Sequence, residues 1–274
     1  MGYIVDISKW NDNINWAVAA KNLDLAICRV QYGSLKRDKL YNQHVQKLEA
    51  YGVPHAAYAY GCYVSVNDAI VEAKDFMARV SPNARFLVLD VEDDTLASCG
   101  PSKLAAASQA FIDTCKAAGW KVGLYVSHHM YEKYGLSNVK ADFLWVPRYG
   151  NKPKYSCDLW QYADNTTGGY VSGIGNCDVN RLNGDKSLKW FLGEEENKTF
   201  YRIYLGDFNT SEWKDATMNR VKETLPGYGL WEENLGDDNY RIIVGDFNTK
   251  SWVDETFNKL KLALPNYGMW IQEI

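Results

Sequence analysis

Leu87-Val88-Leu89-Asp90-Val91-Glu92 carries an apolar strand straight into two carboxylates spaced two residues apart. In a β-strand residues i and i+2 point to one side, so Val88, Asp90 and Glu92 share a face while Leu87, Leu89 and Val91 share the other. Both acids then project into one space. Two carboxyls crowded into a partly desolvated site cannot both ionise cheaply, so one pKa rises. The result is a group able to protonate a leaving oxygen beside a neighbour that stays charged. That pairing is the chemistry of glycoside hydrolysis. Acids after a strand also serve as helix caps or solvated turns, so the pair gains meaning only from the rest of the chain.

Short apolar, β-rich runs alternate with helical patterns on either side of this strand. Strands are expected near residues 3–7, 25–31, 55–60, 85–91, 122–126, 143–148, 159–162 and 177–180. The first five gaps are long enough for helices, and residues 66–78 and 101–118 carry apolar side chains at helical spacing. Later gaps are short and rich in Gly, Asn and Pro. The pattern predicts an α/β fold, a (β/α) barrel whose last part has lost its helices. In such barrels reacting groups sit at the C-terminal ends of the strands, and Asp6, Asp90, Glu92 and Asp178 all fall there.

The chain has 274 residues, enough for one barrel-sized domain and a small one. No apolar stretch reaches the ~18 residues needed to span a bilayer. Met1-Gly2-Tyr3-Ile4-Val5-Asp6 lacks a basic region and a cleavable apolar core, so synthesis in a cytoplasm without a secretion signal is expected. Six cysteines (Cys28, Cys62, Cys99, Cys115, Cys157, Cys177) form no CxxC pair, which argues against a zinc ribbon or redox motif and for buried thiols. His128-His129 has no third ligand in view, and adjacent strand residues face opposite sides, so no metal and no cofactor is expected. Residues 1–193 carry 21 basic and 19 acidic side chains, and residues 194–274 carry 9 and 15. Neither part has the basic stripe of a nucleic-acid binder.

Residues 193–199, Gly-Glu-Glu-Glu-Asn-Lys-Thr, read as a linker. Beyond it Tyr201-Arg202-Ile203-Tyr204-Leu205-Gly206-Asp207-Phe208-Asn209-Thr210 returns 39 residues later as Tyr240-Arg241-Ile242-Ile243-Val244-Gly245-Asp246-Phe247-Asn248-Thr249. The match continues through Trp213 and Trp252, Leu225-Pro226 and Leu264-Pro265, Tyr228-Gly229 and Tyr267-Gly268, and Trp231 and Trp270. Each copy reads as strand, Thr-capped amphipathic helix and second short strand. Neither copy alone buries enough surface, so the two β-α-β units are expected to pair into one small α+β domain. The repeated aromatics have a plain reading as core, which weighs most for Trp213 and Trp252 on the helical apolar face. It weighs less for Tyr228, Tyr267, Trp231 and Trp270.

Four acids at strand ends of one barrel are hard to explain as caps. At this point residues 1 to about 190 resemble a glycoside hydrolase family 25 lysozyme, the muramidase type found in phage endolysins. The resemblance rests on Val5-Asp6-Ile7-Ser8-Lys9-Trp10, Ala57-Tyr58-Ala59-Tyr60, Leu89-Asp90-Val91-Glu92 and Gly123-Leu124-Tyr125. Leu144-Trp145-Val146-Pro147-Arg148-Tyr149, Leu159-Trp160-Gln161-Tyr162 and Cys177-Asp178-Val179-Asn180 follow in family order. It implies a TIM-like (β/α)5(β)3 barrel over 1–192 that cleaves the β-1,4 bond between N-acetylmuramic acid and N-acetylglucosamine in peptidoglycan.

By matched position Glu92 is the general acid. Asp90 orients the substrate's N-acetyl group or stabilises the developing cation, and Asp6 and Asp178 complete an acidic floor. Whether the substrate's own acetamido oxygen or an activated water attacks is not readable here. Tyr58, Tyr60, Tyr125 and Trp160 are candidates for sugar contact, and Arg148 for an ion pair with a strand-end acid or a substrate carboxylate. The repeat in 200–274 distantly resembles SPOR-type peptidoglycan-binding domains through Tyr-Arg-Ile-x-x-Gly-Asp-Phe, with Trp231, Trp270, Tyr228 and Tyr267 as candidate wall contacts. The expected partners are peptidoglycan and a secondary wall carbohydrate, with neither nucleic acid nor membrane insertion; the oligomeric state is not legible. The expected setting is an infected host's cytoplasm, with action on the wall after release. Two other readings stand beside the endolysin: a non-catalytic glycan-binding barrel, which has little use for Glu92, and a bacterial autolysin or secreted bacteriocin, for which a signal peptide is expected.

Overall fold

The computed structural model describes residues 2–194 and 199–274. Two compact units meet the chain division near residue 195. Residues 195–198, at the centre of the expected linker, lie outside the described residues.

The first unit contains strands β1 (Tyr3–Ile7), β2 (Leu23–Tyr32), β3 (Lys36–Arg37), β4 (His55–Tyr60), β5 (Leu87–Val91), β6 (Val122–Val126), β7 (Phe143–Pro147), β8 (Leu159–Ala163), β9 (Tyr170–Val171), β10 (Gly175–Asn176) and β11 (Asp178–Leu182). Eight of them close a barrel in the order β1-β11-β8-β7-β6-β5-β4-β2, sealed by the β1–β2 pairing. All neighbours run parallel except β11, which is antiparallel to both β8 and β1. Helices α1 (Trp16–Ala19), α2 (Tyr41–Ala50), α3 (Val66–Met77), α4 (Asp93–Cys99), α5 (Leu104–Ala117) and α6 (Leu188–Leu192) complete the unit.

Strand alternation sorts the side chains into two cores. Leu87, Leu89 and Val91 face outward and pack with Phe76, Leu104 and Phe111 of the surrounding helices. Phe86 and Val88 face the barrel interior with Ile4, Leu25, Ile27, Phe143 and Leu159. Phe191 of α6 joins this interior, its ring 4.9 Å from Phe143 and 5.5 Å from Phe86. Gly123 belongs to the same layer, because a Cβ there would lie 2.2 Å from the Phe143 ring. With its base filled in this way, the barrel is open to ligands only at the opposite end.

Two expectations change. The fifth β/α unit has no α-helix: between β6 and β7 the chain makes turns and a single 3₁₀ turn, Leu136–Asn138, entered through Gly135 at φ 72° in the left-handed region. Asp178 stands at the start of its strand and not at the end. It still reaches the common mouth because β11 runs backwards, pairing Asp178 with Asp6.

The second unit contains β12 (Tyr201–Phe208), α7 (Ser211–Thr224), β13 (Leu230–Gly236), β14 (Asn239–Phe247), α8 (Lys250–Ala263) and β15 (Met269–Glu273). The Thr210 and Thr249 hydroxyls cap the helices, accepting from the Trp213 and Trp252 amides at 3.2 and 3.3 Å. The four strands form an antiparallel sheet in the order β13-β14-β12-β15. Each repeat's second strand therefore pairs with the first strand of the other repeat. The register puts Tyr204 opposite Ile243, its own equivalent, and Tyr201 opposite Phe247 while Phe208 faces Tyr240. A pseudo-twofold axis thus passes through the sheet between β12 and β14. Ile203, Leu205, Ile242 and Val244 meet Val221, Val253 and Leu260 of the two helices on one side.

Candidate active site

At the mouth of the barrel, Asp6, Arg29, Tyr58, Tyr60, Asp90, Glu92, Tyr125, Gln161 and Asp178 line a cleft of about 210 Å³. Each arrives by strand phase: Asp6 follows Ile4, Asp90 follows Val88, Tyr125 follows Gly123, and Gln161 follows Leu159 on interior-facing positions. Glu92 lies one residue beyond β5, at the N-cap of α4, where its amide donates to the Thr95 hydroxyl at 3.2 Å. The Thr95 hydroxyl donates in turn to the Gly61 carbonyl at 2.7 Å, tying the turn to the neighbouring strand end.

The four acids form two pairs. Asp6 accepts from Gln161 Nε2 at 3.0 Å and from Asn180 Nδ2 at 2.8 Å. Gln161 is locked, because its Oε1 accepts the hydroxyls of Tyr125 at 3.0 Å and Tyr149 at 2.8 Å. Asn180 is held likewise by Trp145 Nε1 at 2.8 Å. Burial pushes Asp178 up to about 8, and the charge of neighbouring Asp6 adds to this. Burial also raises Asp6, but the amide donors and a shared proton from Asp178 offset part of the effect.

Asp90 and Glu92 form the second pair, each acting on the other's proton affinity. Burial raises Asp90 well above the carboxylate range, and the charges of Glu92 and Asp6 raise it further against the pull of Arg29. Its Oδ1 is buried without a hydrogen-bond partner. Burial raises Glu92 too, opposed by the Ser127 hydroxyl, which lies 3.4 Å from Oε2. Glu92 is half-buried whereas Asp90 is buried. The outer acid can touch a bound substrate, and the inner one acts from beneath it.

Of the aromatic candidates, Tyr58 and Tyr125 are buried in the cleft wall, Tyr125 edge-on to Trp145 at 4.7 Å. Tyr60 is half-buried and stacks on Tyr32 at 4.6 Å, its ring available at the rim. Trp160 is not in the cleft: alternation along β8 turns Gln161 inward and Trp160 outward, where Arg181 lies 4.0 Å from its ring centre. Arg148 is exposed and makes no ion pair with an acid among the described residues; its carbonyl accepts from Trp160 Nε1 at 2.7 Å. His129 faces Asp93 at 3.1 Å while His128 packs on Tyr155, so the two histidines do not converge.

Gln161, Asn180, Tyr149, Arg29 and Ser127 were not singled out from sequence. Phasing the strands from Asp90 outward finds the first two, since both fall on interior positions. Replacing Gln161 by Leu removes one of the two amide donors to Asp6 and the acceptor of two tyrosine hydroxyls, at ~1–3 kcal/mol for each group left unsatisfied. Activity of Gln161→Leu is expected to fall at least ~10-fold with a lowered melting temperature; calorimetry beside a wall-clearing assay measures both.

In the second unit Trp231 and Trp270 lie half-buried on the sheet face away from the helices, with Arg202 and Arg241 at 4.9 and 5.2 Å from their rings. Trp213 and Trp252 are not core. They are 46% and 42% exposed, because each sits in the first helical turn with one edge against Phe208 or Phe247 and the rest open. Tyr267 packs beside Trp213 and Tyr228 beside Trp252.

Comparison with known proteins agrees with this geometry. The family model of glycosyl hydrolases family 25 matches residues 5–173. No curated protein matches the chain. Among solved structures, the catalytic domain of the endolysin ply40 from bacteriophage P40 of Listeria monocytogenes is similar at 28% identity and a TM-score of 0.64, covering 71% of this chain and 98% of that one. GHIP, a glycosyl hydrolase 25 of Streptococcus pneumoniae, is similar at 25% identity and a TM-score of 0.63, covering 71% and 94%. The bacterial lysozyme of Streptomyces coelicolor shares the fold at 18% identity and a TM-score of 0.59, covering 71% and 99%. With the family match spanning well over half its length, the chain belongs to glycosyl hydrolases family 25, the lysozyme or muramidase family.

Proposed function

We propose that the protein is a phage-type endolysin that hydrolyses the β-1,4 bond between N-acetylmuramic acid and N-acetylglucosamine, with residues 199–274 holding it on the cell wall. The observation that carries the reading is the convergence of four carboxyls in one cleft of a family 25 barrel. Glu92 protonates the glycosidic oxygen, while the Asp90 carboxyl beneath it orients the substrate's N-acetyl group. The attacking group is a water activated from the Asp6–Asp178 side or the substrate's own acetamido oxygen.

Similarity to a phage endolysin domain supports a phage setting, as do six free cysteines, five of them buried, which suit folding in a reducing cytoplasm. A host-encoded autolysin is the second reading, since a bacterial glycosyl hydrolase 25, that of Streptococcus pneumoniae, is similar over the same share of the chain as the phage domain. Mass spectrometry of digested peptidoglycan tests the activity: new reducing ends on muramic acid are expected, and ends on glucosamine or cut stem peptides would overturn it.

The division near residue 195 gives a second expectation. A chain ending at residue 194 should fold, cut purified glycan at a rate near that of the whole protein, and clear intact cells less well. Equal clearing of intact cells by the two chains would remove the case for wall targeting by residues 199–274.

A further inference from the structure

The wall-targeting reading leaves open where residues 199–274 hold a glycan. Two features outside the active site bear on this. Trp213 and Trp252 are the most exposed aromatic side chains of the second unit, and each is paired with a tyrosine from the opposite repeat. The Trp213 ring lies 6.3 Å from that of Tyr267, and the Trp252 ring 6.1 Å from that of Tyr228. Hydroxyls and a cation edge each pair. Thr217 Oγ1 and Arg220 Nη1 each lie 3.5 Å from the Tyr267 hydroxyl. Around Tyr228, Trp252 Nε1 donates to its hydroxyl at 3.3 Å, with Thr256 and Lys259 beside it.

The repeats themselves show that these pairs are not incidental. Of the 35 aligned positions 18 are identical, and many exposed helix positions have diverged, such as Ser211 and Lys250, Ala216 and Glu255, and Glu223 and Leu262. The exposed tryptophan and its tyrosine are the same in both copies. Core packing does not require an indole at a site nearly half open to solvent.

We propose that residues 199–274 carry two equivalent carbohydrate sites, Trp213 with Tyr267 and Trp252 with Tyr228, each taking the apolar face of a pyranose in an N-acetylated β-1,4 glycan, and that the two sites hold separate strands. This rests on the wall-targeting reading. A flat ring flanked by hydroxyl and cationic donors suits a sugar, which offers an apolar face rimmed by acceptors. Residues 199–274 hold 8 basic and 12 acidic side chains, a balance that disfavours an anionic polymer as the occupant. The pseudo-twofold axis runs through the sheet, and both helices lie on one side of it, so both sites open on that side in opposite senses. A glycan strand has direction. One strand laid across both sites would meet the second in reverse, so two strands are held instead, and binding to a meshwork gains from both at once.

The test uses the full chain carrying Glu92→Gln, so that the wall is not digested, and co-sedimentation with purified peptidoglycan. Trp213→Ala and Trp252→Ala should each weaken binding to a similar extent, ~3–10-fold, and the double variant by ~10–100-fold. Phe at either position should restore most of the loss, and a hexamer of N-acetylglucosamine should compete with the parent. Calorimetric melting should fall only slightly, and to a similar extent in the two single variants, since each indole has one edge packed and the rest open. If one tryptophan variant binds as the parent does, two equivalent sites do not exist. If both bind normally while Trp231→Ala or Trp270→Ala loses binding, wall targeting stands but belongs to the sheet face. If all four variants bind as the parent does, the targeting reading falls with this one.

Discussion

Glu92→Gln is expected to lower wall-clearing activity by ~10²–10⁴-fold, the range that a positioned general acid supplies. The substitution keeps the length and shape of the side chain, its place at the head of α4, and the Ser127 contact. What it removes is the transferable proton of the acid. Wall binding and the melting temperature should change little, which separates loss of chemistry from loss of fold. Near-normal turnover by this variant would mean that the leaving oxygen is protonated by another acid, with the Asp6–Asp178 pair the next candidate.

Asp90→Asn should cost a comparable factor, and it should also make the protein more stable at neutral pH. The first effect follows from removing the carboxyl that orients the substrate's N-acetyl group beneath the reacting sugar. The second follows from linkage. Burial raises the folded-state pKa of Asp90 above its unfolded value. Between those two values the folded chain holds a proton that the unfolded chain has released, so stability falls as pH rises from about 4. Asn has no proton to lose and escapes that decline. Thermal melting should therefore show Asp90→Asn above the parent by ~2–4 °C at pH 7, with the gain shrinking toward pH 4 and gone below it. A variant that melts lower than the parent at pH 7 would show that the Asp90 carboxyl is stabilised in the fold by its surroundings. The active site on this account is a place where stability is given up for reactivity.

Much of this site was legible in the sequence because it is written in strand phase. Once Val88, Asp90 and Glu92 share a face, the period of two carries the argument around the barrel, and the four acids come together as expected. The failures came where phase is broken or reversed. Trp160 reads as a sugar contact because an aromatic ring suggests stacking, yet it is Gln161, one step along the strand, that points into the cleft. Asp178 reaches the mouth only because β11 runs antiparallel, a matter of topology that no local pattern encodes. The missing helix between β6 and β7 is a decision of Gly135 and its neighbours that gap length could not reveal. In the repeats, helical periodicity placed Trp213 and Trp252 on the apolar face correctly. It could not show that the first turn of a helix overhangs the edge of a small core.

The exchange of edge strands between the two repeats has a consequence for how this unit can vary. Solenoid repeats stack on like neighbours, so such proteins lengthen and shorten by whole copies. Here β13 has its partner in the second repeat and β15 has its partner in the first. Losing the second copy would strip β12 of both its partners, and losing the first would do the same to β14, so neither copy forms a sheet alone. Two copies are therefore the fewest that can hydrogen-bond a sheet, and within that pair the halves can drift apart in sequence, as Lys214 and Val253 at equivalent buried positions have already done.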